Sequence, residues 1–205
     1  MSNATFWDER YRARPAGMWS GNPNPQLVAA AGQLRPGAAL DVGCGEGADV
    51  IWLAQHGWRV TGLDLSQVAL DRATEHAAAA GDEVAARTTW VQGELTALEH
   101  DARFDLVTMH YVQLPPGELE PVYRRAAELV APGGSLLVVG HDVGDHAHTG
   151  HGPSDHAKYF TGSDVTAMLE PDDWAIEVDE LRPRTVLRHG ETMQIHDVVV
   201  LARRS

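Results

Sequence analysis

The sequence predicts an α/β fold in which helices cover a mostly parallel sheet. Between residues 39 and 137, short apolar runs rich in branched side chains alternate with longer stretches of helical character. That alternation is typical of βαβ units. The first of these runs ends in glycines at alternate positions and opens directly into a helical stretch. Two strand-like segments near the end of the chain, with a short connection, predict an antiparallel pair at one sheet edge.

Most of the predicted elements have local start or stop signals. Ser66 suits the N-cap of a helix, and Gly57 and Gly81 suit helix ends. Pro121 lies where the first turn of a helix tolerates proline, and residues 132–134 turn the chain into the fifth strand. The predicted strands are 39–42, 58–63, 88–92, 104–109, 135–139, 174–180 and 196–202. The predicted helices are 46–56, 66–80, 121–130 and a short one that Thr161 or Ser163 caps and that ends at Leu169.

Length and composition fit one globular domain. The chain has 205 residues, of which 43% are apolar and 22% are charged. A chain of this length buries enough surface to fold without a metal or a cross-link. We expect a single domain over residues 1–205, with an N-terminal helical segment at 1–30 that serves as a lid. We also expect a long His-rich loop at 141–160.

Charge and cysteine content argue against several classes of protein. Asp and Glu outnumber Lys and Arg by 29 to 16, which gives a formal charge of −13. This balance argues against a nucleic-acid partner and favours a small neutral or cationic one. Cys44 has no second cysteine with which to form an intramolecular disulfide. The chain has no signal-like start and no apolar run of about 20 residues, so we expect a cytoplasmic protein without a membrane span.

The segment 40–47, Leu-Asp-Val-Gly-Cys-Gly-Glu-Gly, predicts a nucleotide-like site. Glycine adopts positive φ in a tight turn and lets a ligand approach the backbone closely. Asp64 ends the second strand, where this type of fold places a carboxylate that accepts hydrogen bonds from a ribose diol. Two ligands fit this pattern: a dinucleotide, and a nucleoside that carries a sulfonium, such as S-adenosylmethionine.

Three features favour the sulfonium. Glu46 lies within the glycine loop, where its carboxylate would repel a pyrophosphate that a helix N-terminus otherwise attracts. Asp41 adds a second carboxylate, which suits an ammonium group or the waters around it. The chain is also too short for the separate catalytic domain that most nicotinamide dehydrogenases carry.

From Phe6 onward the chain resembles the class I S-adenosylmethionine-dependent methyltransferases. The matching segments are 39–47, 60–66, 104–107 and 129–137. The opening Phe-Trp-Asp-Glu-Arg-Tyr at 6–11, with Trp19 before an Asn-Pro turn, is similar to the small-molecule branch that includes tellurite-resistance and thiopurine methyltransferases. The resemblance implies a three-layer αβα, Rossmann-like fold. Its seven-stranded sheet would be mostly parallel, with the last strand antiparallel.

The resemblance also implies a site for S-adenosylmethionine, which leaves the reaction as S-adenosylhomocysteine. Gly43, Gly45 and Gly47 would line the methionine part, and Asp64 would hold the ribose. Glu94 would contact the adenine amino group, at a position where Asp is commoner. The expected cofactor contacts are Trp19, Asp41, Gly43, Cys44, Gly45, Gly47, Asp64, Leu65, Gly93, Glu94, Leu95 and His110.

Position along the chain suggests the residues near the methyl group. His110 ends the fourth strand, where the methyl group would point, and the unperturbed pKa of histidine, about 6.5, suits a general base. Tyr11 is a second candidate catalytic residue. Trp7, Tyr11 and Trp19 either close the core or place an aromatic face near the sulfonium.

The His-rich loop contains ligand types that suit zinc or nickel. Its histidines lack a supporting cysteine or the i and i+4 spacing of a helix, so we expect a polar loop over the active-site face and no metal.

The sequence thus predicts an S-adenosylmethionine-dependent methyltransferase that acts on a small-molecule acceptor by in-line displacement. A module that binds S-adenosylmethionine without turnover is one alternative, and a nicotinamide-dependent oxidoreductase is another. The acceptor atom and the oligomeric state stay open at this point.

Overall fold

Seven strands form one sheet, and helices lie on both of its faces. The computed structural model describes residues 4–112, 114, 117–145, 159–188 and 191–205. The strands are β1 (Ala38–Val42), β2 (Arg59–Asp64), β3 (Thr88–Gln92), β4 (Phe104–His110), β5 (Val130–His141), β6 (Trp174–Arg188) and β7 (Glu191–Arg204). The helices are α1 (Ala4–Arg12), α2 (Pro25–Ala31), α3 (Ala48–Gln55), α4 (Gln67–Ala80), α5 (Asp82–Ala85), α6 (Leu119–Glu128) and α7 (Gly162–Thr166).

The strand order is β3-β2-β1-β4-β5-β7-β6. Strands β1 to β5 pair in parallel, and β7 lies antiparallel between β5 and β6. This arrangement confirms the expected Rossmann-like fold, with seven strands and an antiparallel last strand. It also confirms the antiparallel pair at one edge.

The central strands bury both of their faces. In β1, Leu40 packs into one core and Ala39 into the other, and Leu136 and Leu137 divide in the same way in β5. Helix α6 covers the first core, while α2 and α3 cover the second. Because both faces are covered, these strands carry apolar residues at successive positions rather than only at alternating ones.

Helix starts follow the predicted caps. Ser66 accepts a hydrogen bond from the Ala69 amide at 3.2 Å, and Thr161 with Asp164 forms a capping box at the start of α7. Asp8 of α1 accepts a hydrogen bond from the Ser66 hydroxyl at 2.6 Å. The N-terminal helix is therefore tied to the start of α4.

Some boundaries differ from the predicted ones. Strand β5 begins at Val130 and includes residues 132–134, which were predicted as a turn; there the β4–β5 register shifts between Phe104 and Leu106. The edge strands extend well beyond 180 and before 196, because their pairing continues to Arg188 and Glu191. Charged residues interrupt the apolar pattern in this hairpin, so the strands predicted from periodicity alone are too short.

Residues 146–158, most of the predicted His-rich loop, lie outside the described residues. Among the helices of the described ranges, none is long and apolar enough to cross a membrane.

Candidate functional site

The site lies at the carboxyl edge of the sheet, where the strand order reverses. Strand β1 pairs with β2 on one side and with β4 on the other. Ligands of open α/β sheets bind in the crevice at such a switch point. The glycine loop follows β1 and His110 ends β4, so the topology brings them to the same crevice.

Three glycines of the loop have left-handed backbone. Gly43, Gly45 and Gly47 have φ of 75°, 54° and 85°, a region that other residues enter at a free-energy cost. A Cβ on Gly45 would lie 2.9 Å from the hydroxyl oxygen of Tyr11. The alternating glycines are thus required both by the turn and by the side chain packed against it.

Asp64 is fixed beside this loop. Its carboxylate accepts hydrogen bonds from the Gly45 amide at 2.9 Å and from the Ser66 amide at 2.8 Å. Burial raises the pKa of Asp64, although these backbone N–H groups oppose the shift. Each carboxylate oxygen has a second lone pair, so the group retains the capacity to accept from a diol.

The other expected contacts follow β2 and β3. The Gly93 amide donates to the Asp64 carbonyl at 2.9 Å, which holds the two strand ends together. Leu65 is half-buried, Leu95 is buried, and Glu94 is exposed at the start of a short 3-10 turn. The structure therefore brings these residues to the same edge as the glycine loop.

The thiol of Cys44 is buried and poorly suited to nucleophilic chemistry. Burial and the charges of Asp41 and Asp64 raise the pKa of this thiol well above its ordinary value. Cys44 is a small residue packed within the loop.

The contacts of Glu46 differ from those expected of a carboxylate that repels a pyrophosphate. Its carboxylate pairs with Arg72 at 2.8 Å and accepts hydrogen bonds from the amides of Met18 and Trp19 at 2.9 and 3.3 Å. Because Arg72 compensates its charge, Glu46 contributes little repulsion toward an anion. These contacts, which we call the Glu46 latch, fasten the N-terminal segment to the glycine loop.

Tyr11 and Trp19 cover the glycine loop from the N-terminal side. The indole N–H of Trp19 donates to the Tyr11 hydroxyl at 3.0 Å. Tyr11 is buried, whereas Trp19 is 58% exposed. Burial raises the pKa of Tyr11, so this phenol stays protonated at neutral pH.

The Glu46→Gln variant is expected to loosen the segment around Met18 and Trp19. Hydrogen bonds to charged groups contribute about 1.5–3 kcal/mol each, so we expect amide exchange there to accelerate roughly tenfold or more. Hydrogen–deuterium exchange of this segment measures the effect. Glu120→Gln, which removes an exposed pair with Arg124, is the matched control. Equal exchange in both variants would contradict the latch.

The same latch predicts a pH dependence. Burial raises the pKa of Glu46, but Arg72 and the two amides outweigh burial, and the pKa is lowered. A carboxylate with a lowered folded-state pKa stabilises above its ordinary value and loses that contribution as the pH falls through the lowered one. After correction for the intrinsic pH dependence of amide exchange, the protection of the wild-type segment should therefore fall only below about pH 4.3.

His110 is held by an aspartate that sequence analysis did not identify. Its Nδ1 lies 2.8 Å from Oδ2 of Asp49, in the first turn of α3. Asp41 is adjacent and accepts a hydrogen bond from the Thr108 hydroxyl at 2.6 Å. Ligand-type atoms of Asp41, Asp49 and His110 lie within 4.8 Å of one another. Asp49 is bonded to His110 within this group, while Asp41 is bonded to Thr108.

A second buried network lies beside His110. Asp197 is fully buried and accepts hydrogen bonds from the Tyr111 hydroxyl at 2.9 Å and from Arg184 at 2.8 Å. Tyr111 has φ of 53° and its ring stacks on His141 at 4.4 Å. A non-glycine residue in this region is strained, and such strain is concentrated at functional sites.

One of these missed residues left a signal in the sequence. Asp197 is a lone charge before the apolar run 198–202, and a carboxylate on a buried strand requires partners. Asp49 gave no such signal, because an acid in the first turn of a helix is common on electrostatic grounds alone.

Comparisons with known proteins agree with this geometry. Residues 39–134 match the family described as "Methyltransferase domain". Thiopurine S-methyltransferase of Gluconobacter oxydans is 40% identical over 74 residues, 35% of this chain and 34% of that protein. The chain spans between 14% and 60% of the lengths of the first curated relatives that it matches.

Two solved structures share the fold over nearly the whole chain. One, described as "Conversion of a Disulfide Bond into a Thioacetal Group during Echinomycin Biosynthesis", has a TM-score of 0.76 at 24% identity and covers 98% of this chain and 91% of its own. TehB from Haemophilus influenzae has a TM-score of 0.68 at 17% identity, over 98% and 67% of the two chains. Residues 39–134 thus match a methyltransferase domain, and the chain has the fold of the class I S-adenosylmethionine-dependent methyltransferases.

Proposed function

We propose that the protein transfers a methyl group from S-adenosylmethionine to a small-molecule acceptor. The observation that carries the proposal is the charge of the crevice. Asp41, Asp49 and Asp64 lie around the glycine loop, while the nearby cation Arg72 is engaged by Glu46. Burial and the charge of Asp49 raise the pKa of Asp41 to about 7, so Asp41 carries only part of a charge at neutral pH. This acidic surround favours a sulfonium and an ammonium over a pyrophosphate.

The residues present fit this cofactor. We assign the methionine part to the loop of Gly43, Gly45 and Gly47, and the ribose diol to Asp64. Glu94 would accept from the adenine amino group. When bound, the sulfonium supplies an electrophilic methyl group.

The N-terminal segment would exclude water from the reacting atoms. Trp19 and Tyr11 lie against the loop that would hold the methionine part, and the Glu46 latch keeps them there. Alignment of an acceptor with a positioned methyl group supplies much of the barrier reduction in such displacements. Helix α1 packs on α4 and α2 packs on β5, so we propose that the described residues form one domain.

Ligand-dependent unfolding tests the cofactor. S-adenosylmethionine or S-adenosylhomocysteine at a hundredfold its dissociation constant should add about 2.7 kcal/mol, or about 5–10 °C in Tm for a chain of this size. NAD at the same concentration should add nothing. Stabilisation by NAD alone would overturn the proposal. Binding without labelled methyl transfer to any thiol, phenol or amine in a broad panel would favour a sensing module instead.

A further inference from the structure

The carboxylate of Asp49 is fixed through both of its oxygens. Oδ2 faces Nδ1 of His110 at 2.8 Å, and Oδ1 accepts a hydrogen bond from the Asn24 amide at 2.6 Å. Asn24 is the N-cap of α2, so three separate elements meet at this group. The carboxylate therefore has little freedom to turn away from the imidazole.

This contact determines which nitrogen of His110 carries the proton. An ionised carboxylate only accepts hydrogen bonds, so Nδ1 must be the donor, and Nε2 of the neutral ring is then a free acceptor. Nε2 is buried and has no hydrogen-bond partner among the described residues. Leaving a buried polar atom unpaired costs about 1–3 kcal/mol. A bound molecule that donates to Nε2 would recover this free energy.

The surroundings also favour the protonated ring once a proton arrives. Burial lowers the pKa of His110, but the hydrogen bond and charge of Asp49 outweigh it, with the charges of Asp41 and Asp197 added, so the pKa is raised. Asp197 is itself engaged by Arg184 and Tyr111. These carboxylates, on α3, β1 and β7, make His110 a stronger proton acceptor than an isolated imidazole.

We propose that Asp49 is a positioning residue that holds His110 with a bare Nε2, and that the acceptor is a protic nucleophile, a hydroxyl or a thiol. The proposal rests on the proposed methyl transfer. The acceptor oxygen or sulfur would form its bond to the methyl carbon of S-adenosylmethionine as the bond from that carbon to the sulfonium sulfur breaks. The electron pair of the broken bond would stay on the former sulfonium sulfur. The acceptor proton passes to Nε2, and Asp49 stabilises the imidazolium, which later releases the proton to solvent.

The tautomer of His110 tests the first part without any acceptor. Long-range ¹H–¹⁵N spectra of the wild-type protein should show a protonated Nδ1 and a bare Nε2 at a pH above the pKa of His110. Asp49→Asn should lower that pKa and weaken the tautomer preference, while the surface variant Asp71→Asn leaves both unchanged. A protonated Nε2 in the wild type would overturn the proposal, and this result does not depend on how well the variant folds. In a folded Asp49→Asn variant, an unchanged His110 pKa would overturn it as well.

Two pairs of probes test the acceptor class. Phenylmethanethiol and catechol each keep a transferable proton at neutral pH, whereas benzyl methyl sulfide and N,N-dimethylaniline have none. We expect labelled methyl transfer to a protic probe, with kcat reduced at least tenfold in Asp49→Asn and KM little changed. We also expect the acidic limb of the kcat profile to move to lower pH. Transfer to an aprotic probe with equal kcat in both proteins would refute the proposal. Calorimetry with S-adenosylhomocysteine, run beside this assay, distinguishes failure of the Asp49 proposal from failure of cofactor binding.

Discussion

Replacing Asp64 with asparagine is expected to lower the affinity for S-adenosylmethionine by roughly a hundredfold or more. Two ribose hydroxyls would donate to this carboxylate, and hydrogen bonds to charged groups contribute about 1.5–3 kcal/mol each. Every 1.4 kcal/mol corresponds to about a tenfold change in affinity. Isothermal titration calorimetry with S-adenosylhomocysteine measures the loss without turnover.

The control for this variant must separate loss of ligand contacts from loss of structure. Asp64 also accepts from the Gly45 and Ser66 amides, so the asparagine variant is compared with the wild type by thermal unfolding without ligand. Asp71→Asn, at an exposed position on α4, makes the same charge change and should leave affinity unaltered. Wild-type affinity in Asp64→Asn would remove Asp64 from the ribose site.

Replacing Gly47 with alanine is expected to destabilise the fold by about 2–5 kcal/mol. Its φ of 85° costs a residue with a Cβ about 1–2 kcal/mol. The new Cβ would lie 2.8 Å from the Trp90 ring and 2.9 Å from the Ala73 Cβ, and overpacking of this kind costs about 1–3 kcal/mol. Tm should fall by roughly 5–15 °C.

A second glycine, Gly133, separates the cost of the left-handed backbone from the cost of overpacking. Gly133 has a similar φ of 77°, and a Cβ there would meet no atom within 4 Å. Gly133→Ala should therefore show only the backbone part of the loss. Trp90→Phe removes the ring atoms that crowd residue 47, so the double variant Gly47→Ala with Trp90→Phe should lose less than the two single variants combined. Equal losses at 47 and 133 would show that backbone conformation alone matters.

The fold was predictable because its signals are local and periodic. Apolar runs marked the parallel strands, and residues such as Ser66 and Gly81 marked helix ends in the sequence itself. The antiparallel hairpin was underestimated because edge strands such as β6 tolerate polar side chains, while their main-chain pairing continues. The length of the hairpin is determined by main-chain hydrogen bonds, which the pattern of apolar and polar side chains does not predict.

The candidate site was predictable to the extent that it is contiguous. The glycine loop and the Asp64 strand end are short motifs whose spacing carries a mechanism. The contacts of Glu46, His110 and Tyr111 join residues that are 26, 61 and 86 positions apart. No periodicity connects such pairs, so their partners emerged only from the folded chain.

By itself, the sequence determined the α/β architecture, the glycine loop and the position of Asp64, because each depends on local backbone preference and on residues close in the chain. Tertiary structure alone decided that Glu46 fastens the N-terminal segment instead of repelling an anion, since only folding brings Arg72 and the Met18 amide to it. It also decided that Asp49 orients His110, because the charge of a buried group acts through distance in space and not along the chain.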